Sequence, residues 1–91
     1  MDIEEKKRSQ PVLAISRAGH DKGRIYVVWQ EEDDFLYLVD GLHRGIEAPK
    51  KKKKMHVQRI IRLPEALQAE WSAELTNEKI RSILKRYAAN Q

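Results

Sequence analysis

Two apolar runs, Ile25–Trp29 and Phe35–Val39, flank a short polar segment, Gln30-Glu31-Glu32-Asp33-Asp34. Runs of this length, rich in β-branched and aromatic side chains, predict strands, and the polar segment between them predicts an antiparallel hairpin. Upstream, Val12–Ile15 predicts another strand, followed by Ser16–Gly23, a turn region with two glycines. Downstream, Asp40-Gly41 predicts a turn, Ile46-Glu47 the start of a short strand before Pro49, and Met55–Ile61 one more strand. Several short strands at close spacing predict a small barrel or sandwich.

At Pro64 the texture changes to a helical one, and proline suits the first position of a helix. Ala66, Leu67, Trp71 and Leu75 place one apolar stripe. Thr76 is the expected N-cap of a second helix, where Ile80, Ile83, Leu84, Tyr87 and Ala88 recur at i, i+3, i+4, i+7 and i+8. The hairpin is apolar on both faces. Ile25, Val27 and Trp29 point one way and Tyr26 and Val28 the other; Phe35, Tyr37 and Val39 likewise oppose Leu36 and Leu38. A half-solvated hairpin would alternate apolar with polar residues. One face must therefore line an interior, and the other needs a cover, for which the C-terminal stripe is the candidate. The expected fold is mainly β with C-terminal α: a small β-barrel packed against two C-terminal helices. Residues 1–10 read as a flexible charged N-terminus, 11–62 as the barrel with a basic loop at 49–54, and 63–91 as the helical segment.

Ninety-one residues make one domain, or a small domain with an appendage, with no room for a large cleft between two domains. The net charge of +4 understates how unevenly charge is placed. Gln30–Asp40 holds five acidic residues and no basic one, whereas Gly41–Arg62 holds eight basic residues and one acid, Glu47. Such polarisation points to an anionic partner. The absence of cysteine excludes disulfides, cysteine–zinc sites and thiol nucleophiles. No run approaches the roughly 18 apolar residues of a membrane span. Met1–Arg8 has no apolar segment behind its charges, so it does not read as a secretory signal. The expectation is a cytoplasmic protein with no membrane partner.

Gly19-His20-Asp21-Lys22-Gly23-Arg24 sets a glycine- and charge-rich turn directly before an apolar strand. Such a turn presents backbone N–H groups and cations to phosphate. Gly23 serves equally as a purely structural turn residue. Lys50–Lys54 repel one another and read as a mobile loop that adds nucleic-acid affinity; a solubilising loop and a nuclear-import signal are the other readings. His20, His43 and His56 lack metal-ligand spacing, so no metal or cofactor is expected. Tyr26, Trp29, Phe35 and Tyr37 sit in dense apolar strands and read as core in preference to a base-stacking platform. Glu31-Glu32-Asp33-Asp34 lacks the spacing and glycine of a calcium loop and reads as a solvated turn facing away from a nucleic acid. No nucleophile elbow or paired carboxylates stand out, which argues against an enzyme.

Residues 12–41 resemble a KOW motif: an apolar strand, a Gly-x-x-Lys-Gly-Arg turn, an apolar strand, a variable hairpin, and the strand end Tyr37-Leu38-Val39-Asp40-Gly41. The order Val39-Asp40-Gly41, Arg44, Lys50–Lys54 and Met55-His56-Val57 is similar to the KOW domain of large-subunit ribosomal protein fourteen of eukaryotes and archaea. Small bacterial KOW-domain RNA-binding proteins look closer still, including a helical tail. After the Asp-Gly pair this chain has Leu42-His43-Arg44-Gly45, where the eukaryotic proteins are arginine-rich.

The resemblance implies an SH3-like barrel that binds structured RNA, usually ribosomal, without catalysis. The expected contact surface is Arg17, His20, Lys22, Gly23, Arg24, Arg44, Lys50, Lys51, Lys52, Lys53, Lys54, His56 and Arg59. The expected protein is a monomeric, cytoplasmic RNA-binding component of translation, bound to ribosomal RNA or the ribosome. The alternative is a protein-interaction module of transcription or ribosome assembly, with a protein partner on the C-terminal helices.

Overall fold

The computed structural model describes residues 12–60 and 75–89. Among these residues five strands, β1 (Leu13–Ser16), β2 (Ile25–Glu31), β3 (Phe35–Val39), β4 (Lys50–Lys53) and β5 (Val57–Ile60), precede a helix, α1 (Asn77–Ala89). They form one antiparallel sheet in the order β4-β3-β2-β1-β5. A three-residue 3-10 helix, Lys54–His56, is all that separates β4 from β5, the two edges of the sheet. In a flat sheet those edges would stand about 19 Å apart. The four residue steps from Lys53 to Val57 reach about 14 Å at most. The sheet must therefore curl on itself, a shape compatible with a small barrel.

The predicted hairpin forms, with Val27 opposite Val39 and Val28 opposite Leu38. Beyond Val28 the register shifts, so that Gln30 faces Tyr37 and Glu31 faces Leu36, leaving Trp29 as the extra residue of a β-bulge. The bulge reverses side-chain parity. Glu31 thereby joins Tyr26 and Val28 on one face of the sheet.

Both faces are covered, as the twofold apolar pattern requires. On one, Leu13, Val27 and Val39 pack with Leu75, Ile80 and Ile83 in a single core cluster, joined by the partly buried Trp29, Leu84 and Tyr87. On the other, Ala14, Tyr26, Leu36 and Leu38 form a second cluster with Val28 and Val57. Burial of each large aliphatic side chain stabilises by roughly 1.5–3 kcal/mol. Ile80 and Ile83, both fully buried, thus anchor α1 to the sheet. Thr76 caps the helix as expected: the Lys79 N–H donates to its Oγ1 at 3.2 Å. Leu75 and Ile80, flanking that cap, lie in the same cluster, the arrangement of a hydrophobic staple.

Three expectations are corrected. Lys50–Lys53 is not a mobile loop but an edge strand, paired with β3 from Leu38↔Lys50 to Phe35↔Lys53. Lysine on an edge strand also discourages pairing with another chain. Ile46-Glu47 forms a turn instead of starting a strand. Phe35 and Tyr37 are half-buried and belong to neither core cluster, unlike Tyr26 and Trp29. The expected helix from Pro64 and the charged residues 1–10 lie outside the described residues. Among the described residues, no helix is long and apolar enough to cross a membrane.

Candidate nucleic-acid interface

The basic turn between β1 and β2 is built around an acid. Asp21 is 8% exposed, and its carboxylate accepts four donors. Ser16 Oγ donates to Oδ1 at 2.8 Å and Tyr26 Oη to Oδ2 at 2.7 Å. Lys52 Nζ lies 2.9 Å from Oδ1, and Lys50 Nζ 3.0 Å from Oδ2. Lys52 also donates to the Ala18 carbonyl at 2.7 Å. Burial by itself would raise the Asp21 pKa, but the hydrogen bonds from Lys52, Tyr26, Ser16 and Lys50 outweigh it and hold the carboxyl well below the usual range. Burial and the Asp21 carboxylate together push the Tyr26 hydroxyl far above its ordinary value.

Backbone hydrogen bonds close the turn above this network. The Lys22 N–H donates to Gly19 O at 3.2 Å, Arg24 N–H to Asp21 O at 2.9 Å, and Gly23 N–H to Ser16 O at 2.8 Å. Gly23 has φ +92°, and a Cβ there would meet nothing within 4 Å. Its role is conformational, not close packing. Lys22 and Arg24 flank it, exposed and with no ion pair among the described residues.

The thirteen expected contact residues do not form one patch. Arg17, His20, Lys22, Gly23 and Arg24 lie on or beside the β1–β2 turn, and the Arg17 N–H donates to His56 O at 2.8 Å, which brings His56 to the same end. Arg17 Nη2 is hydrogen-bonded to Gln58 Oε1. Lys50 and Lys52 lie beneath the turn with their charge committed to Asp21. Lys51 and Lys53 point to the other side of β4, exposed; Lys51 Nζ sits 4.3 Å from the centre of the Phe35 ring. Lys54 and Arg59 gather on Glu31, at 2.8 and 2.7 Å. These two cations hold the Glu31 carboxyl below its usual pKa. The acidic hairpin does not stand wholly apart from the basic residues, because Glu31 faces two of them.

Arg44 belongs to a separate loop that receives the helix. Asp40 Oδ1 accepts the Leu42 and Arg44 N–H groups at 2.9 and 2.8 Å. Gly41, at φ +80°, lies so close to α1 that a Cβ would meet the Asn77 carbonyl oxygen at 2.4 Å. Arg81 Nη1 donates to Gly41 O at 2.6 Å, and Ile46 N–H donates to Asn77 Oδ1 at 2.9 Å. The Asp-Gly pair thus shapes the socket for the start of α1.

Sequence reasoning gave Asp21 no role of its own and placed Glu31 in a solvated turn, apart from the basic residues it pairs with. The signal for Asp21 was present: an acid enclosed by His20, Lys22 and Arg24, next to a long lysine run that needed a counter-charge. For Glu31 the deciding feature is the bulge, which no residue pattern announced. Among the described residues no three His, Asp or Glu side chains converge as a metal site would require. No protein-family profile and no curated protein sequence matches the chain.

Proposed function

We propose that this chain is a non-catalytic RNA-binding protein of translation, with an SH3-like barrel of KOW type that docks on ribosomal RNA or the ribosome in the cytoplasm. The strand order and the 3-10 link between β4 and β5 support the barrel reading. The observation that carries the function is the division of labour among the cations. Asp21 takes up Lys50 and Lys52 and so fastens the turn to the sheet. Lys22 and Arg24 remain at the tip with no ion pair among the described residues. A rigid turn holding unpaired cations is suited to phosphate, with the guanidinium able to fork onto it and the ammonium acting as a point charge.

Recognition of this kind rests on RNA shape and backbone charge, with limited base readout. Each phosphate neutralised contributes about −0.7 to −0.9 to the slope of log affinity against log salt, so six contacts would give about −4 to −5. The test is a salt titration of the full chain against ribosomal RNA, with co-sedimentation of the chain with ribosomes. Salt-independent binding, or none to either at low salt, overturns the reading. A pull-down of a protein partner that survives nuclease treatment favours a protein-interaction module instead.

A further inference from the structure

Glu31 draws two cations onto one carboxylate oxygen. Its single oxygen Oε2 lies 2.8 Å from Lys54 Nζ and 2.7 Å from Arg59 Nη2. Those are distances of charge-assisted hydrogen bonds, and a lysine beside an arginine is a common donor set for a phosphate oxygen. The site is open to solvent: the side chains of Lys54, Arg59 and Glu31 are 33%, 40% and 45% exposed. Its members come from β2, the 3-10 helix and β5, so the fold assembles it and no local sequence does. Among the four consecutive acids of the hairpin, Glu31 is singled out by the bulge at Trp29, which turns it onto the face that Arg59 shares. Glu32, Asp33 and Asp34 form no ion pair among the described residues.

We infer that Glu31 is an internal phosphate surrogate: it occupies a two-cation anion site, formed by Lys54 and Arg59, that an RNA phosphate takes over on binding. The inference rests on the RNA-binding reading above. Exposed ion pairs contribute little to stability, so opening this one costs little. A polyanion gains from the exchange by releasing its own counterions, which a small monovalent anion cannot match. The displaced carboxylate then stands beside the RNA and repels it. Glu31 is therefore a brake on affinity, weakening contacts with stray anions more than contacts with a long RNA backbone.

The experiment compares wild type, Glu31→Gln and Glu32→Gln in salt titrations against a ribosomal RNA fragment, after melting curves confirm that each folds. Glu32 is the control because its substitution changes net charge equally without touching the pair. Glu31→Gln should bind about three- to tenfold tighter near 0.1 M salt, with a slope steeper by about 0.7 to 0.9, whereas Glu32→Gln should shift affinity by less than about twofold. Equal effects of the two substitutions overturn the inference, since net charge then explains both. No gain in Glu31→Gln also overturns it. A parallel arm titrates tripolyphosphate and follows the Arg59 side-chain NMR signal. If no variant binds RNA, the RNA reading falls, and this arm decides separately. Tighter tripolyphosphate binding by Glu31→Gln at Arg59 upholds the anion site; an unmoved Arg59 signal in every variant overturns it.

Discussion

Lys52 Nζ and Asp21 Oδ1 stand 2.9 Å apart, an ion pair that fastens the β1–β2 turn to the edge strand across 31 positions of chain. Lys50 reaches the other carboxylate oxygen of the same aspartate. One buried acid thus converts half of a self-repelling lysine strand into a cross-link. Removing the acid leaves two lysines facing each other over Ser16 and Tyr26.

Asp21→Asn should lower stability at neutral pH by about 2–4 kcal/mol, because breaking a buried pair strands its partner charge. Lys50, with 28% of its side chain exposed, can turn to water and keep the loss toward the lower end. The effect depends on pH in a defined direction. The folded carboxyl is held well below its unfolded value of about 3.9, so its contribution is fully present above that pH and is lost as pH falls through the acid range. Urea unfolding from pH 7 to pH 2 should show the gap between wild type and Asp21→Asn closing as pH drops below about 4. A gap that stays constant would mean that the Asp21 charge does not stabilise the fold.

Lys22→Gln and Arg24→Gln should leave melting within about 0.5 kcal/mol of wild type, as surface changes do. Each should weaken RNA binding and flatten the salt slope by about 0.7 to 0.9. Lys52→Gln should do the reverse, lowering stability while changing the salt slope little. Parallel melting and binding curves for the three variants check this. A large slope change in Lys52→Gln would show that its ammonium leaves Asp21 to meet RNA.

Gly41→Ala and Gly23→Ala separate two uses of a positive φ. Both force a side chain into a conformation costing about 1–2 kcal/mol. At Gly41 the new methyl also meets the Asn77 carbonyl oxygen at 2.4 Å, so α1 must shift. Gly41→Ala should cost more than about 3 kcal/mol and strip hydrogen-exchange protection from the first turns of α1. Gly23→Ala has open space around it and should cost only the backbone term.

Thr76→Ala removes the acceptor for the Lys79 N–H. A loss of about 1 kcal/mol is expected, read by thermal unfolding, with Thr76→Ser restoring most of it. If Thr76→Ala melts like wild type, backbone and staple contacts suffice to start the helix.

Much of the architecture was legible because it rests on local periodicity. The hairpin Ile25–Val39 alternates between two apolar faces, and the stripe Ile80, Ile83, Leu84, Tyr87 has helical spacing, so both elements and their mutual packing could be read. The basic surface was legible only as composition: the same list of basic residues holds tip cations, cross-linking cations and cations committed to Glu31.

The sequence by itself determined four of the five described strands, the hairpin, the capped amphipathic helix and the surplus of positive charge after Gly41, since each depends on residue type and short-range spacing. It could not determine what the lysine run does. Five identical side chains carry no alternation, so nothing in Lys50–Lys54 distinguishes a strand from a loop or an inward lysine from an outward one. The tertiary structure decided both. It placed a buried carboxylate on one side of β4 only, which orients Lys50 and Lys52 inward and leaves Lys51 and Lys53 outside. It also set the bulge that brings Glu31 to Lys54 and Arg59. Charge pairing between residues far apart in the chain has no local signature, and here it sorts the basic residues into those that hold the fold and those left exposed at the surface.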